Sequence, residues 1–205
     1  MRKKTLLLLL VVSVILHLSC ATTPKDFSQL AFIFGKIESA HDDMALAQVD
    51  FISCSFTEKS KRYEADTHRQ KGYFWLKDMK MGSYRAVGFL HQTLGQVLGF
   101  GGSNGSYYSI HKYGNAPFLV RINKPGVYYM GTYKYGIDPK KLSVSDVLFG
   151  STITFSMTKV ENDNPQEILE WILKNKISKK SPWYAIIEKT IKERSWINAE
   201  DTVKL

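Results

Sequence analysis

Two cysteines in 205 residues are too few for a disulfide framework, so the fold must stand on its apolar core. Long apolar runs are also missing: the longest, Leu6 to Leu18, falls well short of the roughly twenty residues a transmembrane helix needs. No G-x-x-x-x-G-K-S/T loop, no dinucleotide-binding glycine turn, no H-E-x-x-H helix, no calcium loop and no G-x-S-x-G elbow occurs. Acidic residues are the minority, 19 against 28 basic, and too scattered to name a glycosidase pair. The excess positive charge is not clustered as a nucleic-acid site requires, so no nucleic-acid partner is expected. His41-Asp42-Asp43, even with His68, His91 or His111, matches no metal-ligand spacing, and these read as solvated turn residues. Neither a metal nor a cofactor is expected.

What the chain does have begins at its first residues. Arg2-Lys3-Lys4 is a positive segment, Leu6 to Leu18 an apolar one, and small Ser19 precedes Cys20, after which the chain turns polar. That is the layout of a signal peptide. It resembles the signal peptide of a bacterial lipoprotein. His17 and Leu18 stand where the usual box has Leu and a small residue, and Leu16 lies four before the cysteine, as in the looser spirochaetal boxes. The resemblance implies cleavage before Cys20, acylation of Cys20, a polar tether over residues 20–29, and a place in the bacterial cell envelope, at the outer membrane in the enterobacterial pattern. An ordinary secreted protein, or one held by an uncleaved N-terminal anchor, are the alternatives. Two or three acyl chains bind durably where one binds marginally, since each buried CH₂ contributes about 0.8 kcal/mol. Without residues 1–19, 25 basic and 19 acidic residues leave a net charge of +6, a balance suited to an anionic lipid surface. Cys54 then has no intramolecular partner and reads as a buried, inert thiol.

Residues 30–160 form many short apolar runs broken by turn signals, and aromatic and β-branched residues favour strands. "LAFIFGKIES" and "ALAQVDFISCSF" come first. Lys59 to Gln70 is charged and reads as a loop or an exposed edge. "GYFWLKDMKMGSYRAVGFL" gives an apolar run, a short connection, then Gly-x-Tyr opening another run. This stretch, with "GKIES" and "ALAQVDF" before it, resembles carboxypeptidase-regulatory-like and transthyretin-like β-sandwich domains over residues 33–90. The resemblance implies a prealbumin-like antiparallel sandwich with binding, spacing or anchoring roles rather than catalysis. The glycines between Gly99 and Gly105 read as a hairpin tip, not a phosphate cradle. "APFLVRINKPGVYYMGTYKYG" reads as a hairpin turning at Asn123-Lys124-Pro125-Gly126. "VLFGSTITFSMTKV" closes the set, with Ile153, Phe155 and Met157 on one face. Seven or eight such strands make a sandwich or a small barrel.

After Glu161 the period changes. Asn164 before Pro165, with Glu167 following, is a helix start, and Ser181 before Pro182 repeats it. Ile168, Leu169, Ile172 and Leu173 form one stripe; Trp183, Ile186, Ile187 and Ile191 form another. Residues 161–205 should be a helical pair packed on the sheet or on a partner, because two short helices do not stand alone. The lysines of these helices read as solvated faces. Tyr129, Tyr133 and Tyr135 fall on one face at period two and, with Tyr107 and Tyr108, make either a ligand face or a core edge with wet hydroxyls. The expectation is a lipid-anchored envelope lipoprotein with a non-enzymatic binding or structural role and an envelope protein as partner. A surface adhesin or ligand-binding lipoprotein using the tyrosine face, and an envelope hydrolase with an unrecognised site, are the rivals.

Overall fold

A computed structural model describes residues 26–39, 44–54, 60–93, 106–110, 118–137 and 155–203. The signal segment, Cys20, His41-Asp42-Asp43, the Gly99–Gly105 patch, His111 and Ile153 lie outside the described residues. Among those described, ten strands form one curled sheet, and two helices follow. They are β1 (Ala31–Ser39), β2 (Met44–Ser53), β3 (Arg62–His68), β4 (Tyr73–Met79) and β5 (Gly82–Thr93). Then come β6 (Ser106–Ser109), β7 (Leu119–Ile122), β8 (Gly126–Ile137), β9 (Phe155–Lys159), α1 (Pro165–Lys176), α2 (Pro182–Glu193) and β10 (Ile197–Asn198). The chain is mainly β, as its composition predicts.

The strand order is β10-β8-β1-β4-β3-β2-β5-β6, with β7 also on β5 and β9 also on β8. Three expectations change here. Within the stretch read as a loop or edge, Arg62–His68 is a strand, and β3 sits inside the sheet between β2 and β4. Its Arg62, Glu64 and Asp66 point outward while Ala65 is buried, so the alternation was present but hidden under charge. Second, β7 and β8 are not a hairpin. β7 pairs antiparallel with β5, and the chain then crosses at Asn123–Pro125 to the other end of the sheet. There β8 runs parallel to β1, from Ala31 opposite Gly126 to Ser39 opposite Tyr135, in a sheet otherwise expected to be antiparallel. Third, Cys54 lies just past the end of β2 and is exposed rather than buried.

The two ends of the order meet across the interior. Phe89 of β5 and Tyr108 of β6 lie 5.0 and 5.2 Å from Tyr135 of β8, centroid to centroid, and Phe118, just before β7, lies 4.2 Å from Tyr133 of β8. Such contacts between elements so far apart in the order require the sheet to curl. The Ala199–Thr202 turn bridges the ends: the Arg121 amide donates to Thr202 Oγ1 at 3.0 Å, and Lys159 pairs with Glu200 at 2.6 Å. The interior is filled by Ile33, Ile37, Phe51, Phe74, Phe89, Val120, Tyr128 and their neighbours.

β1 is buried on both faces, which explains its unbroken apolar run. Ile33 and Ile37 face the interior, whereas Phe32 and Phe34 face outward under the helices. The helices begin where the sequence places them. Asn164 accepts from the Glu167 amide and Ser181 from the Trp183 amide, each at 3.3 Å. Ile168, Leu169, Ile172 and Leu173 of α1 and Trp183 and Ile187 of α2 are buried against β1, β4 and β8. Asp78 fixes the docking. It adopts a left-handed conformation (φ 61°) in a β4 bulge, and its carboxylate accepts from the Trp183 indole at 2.8 Å.

Candidate functional site

The five candidate tyrosines do not share a face. A bulge in β8 separates them: Phe34 faces Tyr129, but two residues on, Lys36 faces Thr132. Gly131, at φ +105°, absorbs the extra residue. Tyr128 and Met130 therefore point inward before the bulge, and Tyr133 and Tyr135 after it. Tyr129 points outward beneath the helices, bonded to Thr132 Oγ1 and to the Asp163 carboxylate just before α1. Burial, reinforced by that carboxylate, pushes its hydroxyl pKa well up. Tyr108, Tyr133 and Tyr135 are core residues. Tyr107 alone of the five is exposed, at 47%, on the opposite outer face.

That exposed tyrosine belongs to a polar cluster on β2, β3 and β6. Asp50 is fully buried (0% exposed) yet charged, and four bonds explain how. Arg62 Nε and Nη2 donate at 3.2 and 2.5 Å, Gln48 Nε2 at 2.9 Å, and the Tyr107 hydroxyl at 2.8 Å. Burial raises the Asp50 pKa, but these donors outweigh it and hold it below the usual 3.8. The Tyr107 hydroxyl is pushed up to about 12 by burial and by Asp50. Gly88 makes this possible: a Cβ there would lie 2.3 Å from the Tyr107 oxygen. All of Asp50's neighbours are satisfied within the fold, so the cluster reads as the structural finish of this face.

A cleft of about 440 Å³ opens elsewhere, at the Ser39 end of β1. Its wall combines the tip of β1, the β3–β4 turn, His91 of β5 and Lys134 of β8. The turn is clamped. Ile37 N donates to Gly72 O at 2.9 Å, Leu46 N to Arg69 O at 3.0 Å, and Lys71 N to His68 Nδ1 at 3.2 Å. Gly72 (φ +68°) is required, because a Cβ would fall 2.1 Å from the Ile37 carbonyl oxygen. The His68 ring packs 4.3 Å from Trp171 on α1. Burial first, then the Lys176 and Lys71 charges, depress its pKa.

His91 is 1% exposed. Nδ1 shares a short hydrogen bond with the Tyr135 hydroxyl, while Nε2 is buried without a partner among the described residues. Burial pushes the His91 pKa down to about 4, so the ring is neutral at pH 7. The two carboxylates of the cleft are already engaged. Glu38 pairs with Lys36, and Glu167 accepts from the Tyr73 hydroxyl. Arg69, Lys71 and Lys134 have no ion-pair partner among the described residues, so the cleft is electropositive. Sequence reasoning passed over this site. His68, Arg69 and Gln70 fall in the charged stretch that reads as a loop or edge, and His91, which reads as a solvated turn residue rather than a metal ligand, is instead a buried residue of β5. The usable signal was a histidine at period two from Phe89, on the apolar side of its strand. Among the described residues, no three His, Cys, Asp or Glu side chains are placed to hold a metal ion. No known protein family, curated protein or solved structure matches the chain.

Proposed function

We propose that the protein is a lipid-anchored component of the bacterial cell envelope, acylated at Cys20, with a non-enzymatic binding role carried by its curled sheet. The observation that carries this reading is the basic segment Arg2-Lys3-Lys4, the apolar run Leu6–Leu18 and the small residue Ser19 placed directly before Cys20. The fold is compatible in one respect that matters for orientation. Phe27, in the last residues of the expected tether, packs 5.7 Å from the Trp183 indole of α2, and Leu30 just past the tether joins the same cluster. From there β1 carries the chain about 30 Å, at roughly 3.3 Å per residue, to the cleft at Ser39. On this reading the Ala31 end of β1 lies toward the membrane and the Ser39 end, with the cleft, away from it. The finer assignment, a prealbumin-like sandwich, belongs to the same proposal. It is supported by the chain leaving β4 at Met79, starting again at Gly82-x-Tyr84 and pairing with a different half of the sheet.

The test is metabolic labelling with an alkyne palmitate of cells carrying the wild type or Cys20→Ala. Label on the wild type alone, with the variant lost from the membrane fraction, is the expected result. An unlabelled wild type would refute the anchor, whatever the fold.

A further inference from the structure

We infer that the cleft at the Ser39 end of β1 binds a small soluble oxyanion, a phosphate- or carboxylate-bearing ligand, through Arg69, Lys71 and Lys134 with His91 Nε2 as its buried donor. Three independent features converge on this. The first is a buried, unpartnered nitrogen: His91 forms part of the cleft wall and its Nε2 has no hydrogen-bond partner among the described residues, so a ligand atom that reaches the ring supplies the bond that the fold leaves unmade. The Tyr135 hydroxyl and Nδ1 can share their bond in either direction, and an acceptor on the ligand selects the tautomer in which Tyr135 donates to Nδ1 and Nε2 carries the proton. The second is charge. Arg69, Lys71 and Lys134 surround the same space, while its carboxylates are occupied by Lys36 and Tyr73. A neutral or cationic ligand would leave these three cations facing one another. The third is rigidity. The β3–β4 turn is tied to β1 and β2 by backbone bonds, so Arg69 and Lys71 are presented on a fixed backbone and only their side chains lose freedom on binding. The volume, about 440 Å³, admits a molecule the size of a small metabolite.

That the ligand is soluble rather than a lipid headgroup rests on the anchor reading, which turns the cleft away from the membrane. The binding chemistry itself does not. The full chain, purified in neutral detergent, is titrated calorimetrically with inorganic phosphate and with citrate. At least one should bind saturably, and Arg69→Gln with Lys71→Gln should weaken it at least about tenfold, the loss of one charge-assisted bond or more. Both are turn residues with exposed side chains, so folding is retained. His91 is a core residue, so it is read in the wild type instead: in ¹⁵N-histidine-labelled protein its Nε2 resonance should move on binding. Saturation by neither anion, unchanged affinity in the double variant, or an unmoved His91 signal would each overturn the site. Dioctanoyl phosphatidylglycerol binding more tightly than glycerol phosphate would overturn the soluble source. Cys20→Ala should bind the anion as the wild type does, so failure of the anchor and failure of the site are told apart.

Discussion

The sheet has two outer faces, and they are finished in opposite ways. Over β1, β4 and β8 the outward residues are Phe32, Phe34, Tyr73, Trp75, Val127 and Tyr129, and α1 and α2 cover them. Over β2, β3 and β6 they include Gln48, Asp50, Arg62 and Tyr107, which cover one another with polar bonds. One half of the sheet therefore needs a second layer and the other does not. The helices exist in the first place because of that difference: each is twelve residues long, too short to persist in water without an apolar surface beneath it. The difference also decides where energy is concentrated. The covered face is stabilised by area removed from water, the bare face by a few charge-assisted bonds.

The sharpest way to break this contrast is Trp183→Ala. The substitution removes the largest outward anchor of α2, its ring contacts with Phe27 and Phe32, and the indole bond to Asp78. The expected cost is about 3–5 kcal/mol. Urea unfolding should report it, and hydrogen exchange should show α1 and α2 losing protection while β2, β3 and β5 keep theirs. Equal loss everywhere would mean that the two halves are not separable. Next in size is acid. His91 is held neutral to about pH 4 in the fold against an ordinary value of 6.5, so the unfolded chain binds the extra proton between those values. Stability should be full above pH 6.5 and fall by roughly 3 kcal/mol as pH drops to 4, at up to about 1.36 kcal/mol per unit. Urea midpoints across that window should decline for the wild type. They should be nearly flat for His91→Leu, with the residue owed to His68, whose pKa is also depressed.

Much of the covered half was legible in the sequence. Asn164-Pro165 and Ser181-Pro182 announce the helices because caps are local chemistry, and the stripe of α1 matches its buried face residue by residue; in α2 Trp183 and Ile187 are buried as expected, Ile186 and Ile191 only half-buried, and Thr190 joins the buried face unannounced. The sheet was less legible, for two physical reasons. Parity arguments assume an unbroken strand, and one inserted residue at Gly131 reverses every later side chain. That is why Tyr129 parts company with Tyr133 and Tyr135. Pairing partners are also non-local. Nothing within "INKPGVYY" says that the chain passes through the exposed Asn123–Pro125 link to lie parallel to β1 rather than folding back on β7. The cleft was invisible for the same reason: His91, Arg69 and Lys134 come from three strands or turns that only the curl assembles. Gly131→Val tests the bulge directly. A branched side chain at φ +105° is strained, and a Cβ there meets the Tyr133 ring at 2.9 Å. The expected loss is about 2 kcal/mol in urea unfolding.

On the bare face the expected effects are smaller. Asp50→Asn keeps the shape and removes the charge. Breaking a buried ion pair commonly costs 3–5 kcal/mol when the abandoned partner stays buried. Here the partner is not: the Arg62 side chain is 62% exposed and can turn to water. The loss should therefore be about 1–2 kcal/mol: the amide oxygen still accepts from Gln48 at Oδ1, while the Tyr107 hydroxyl and Arg62 Nη2 lose their acceptor at Oδ2. The pH dependence separates this from simple packing damage. Because the Asp50 pKa lies below 3.8 in the fold, its contribution is complete above that value and disappears as pH falls through the depressed one. Wild type and Asp50→Asn should accordingly differ in urea midpoint at pH 7 and converge toward pH 2. A gap that stays constant with pH would show that the ionised carboxylate is not what stabilises the bare face.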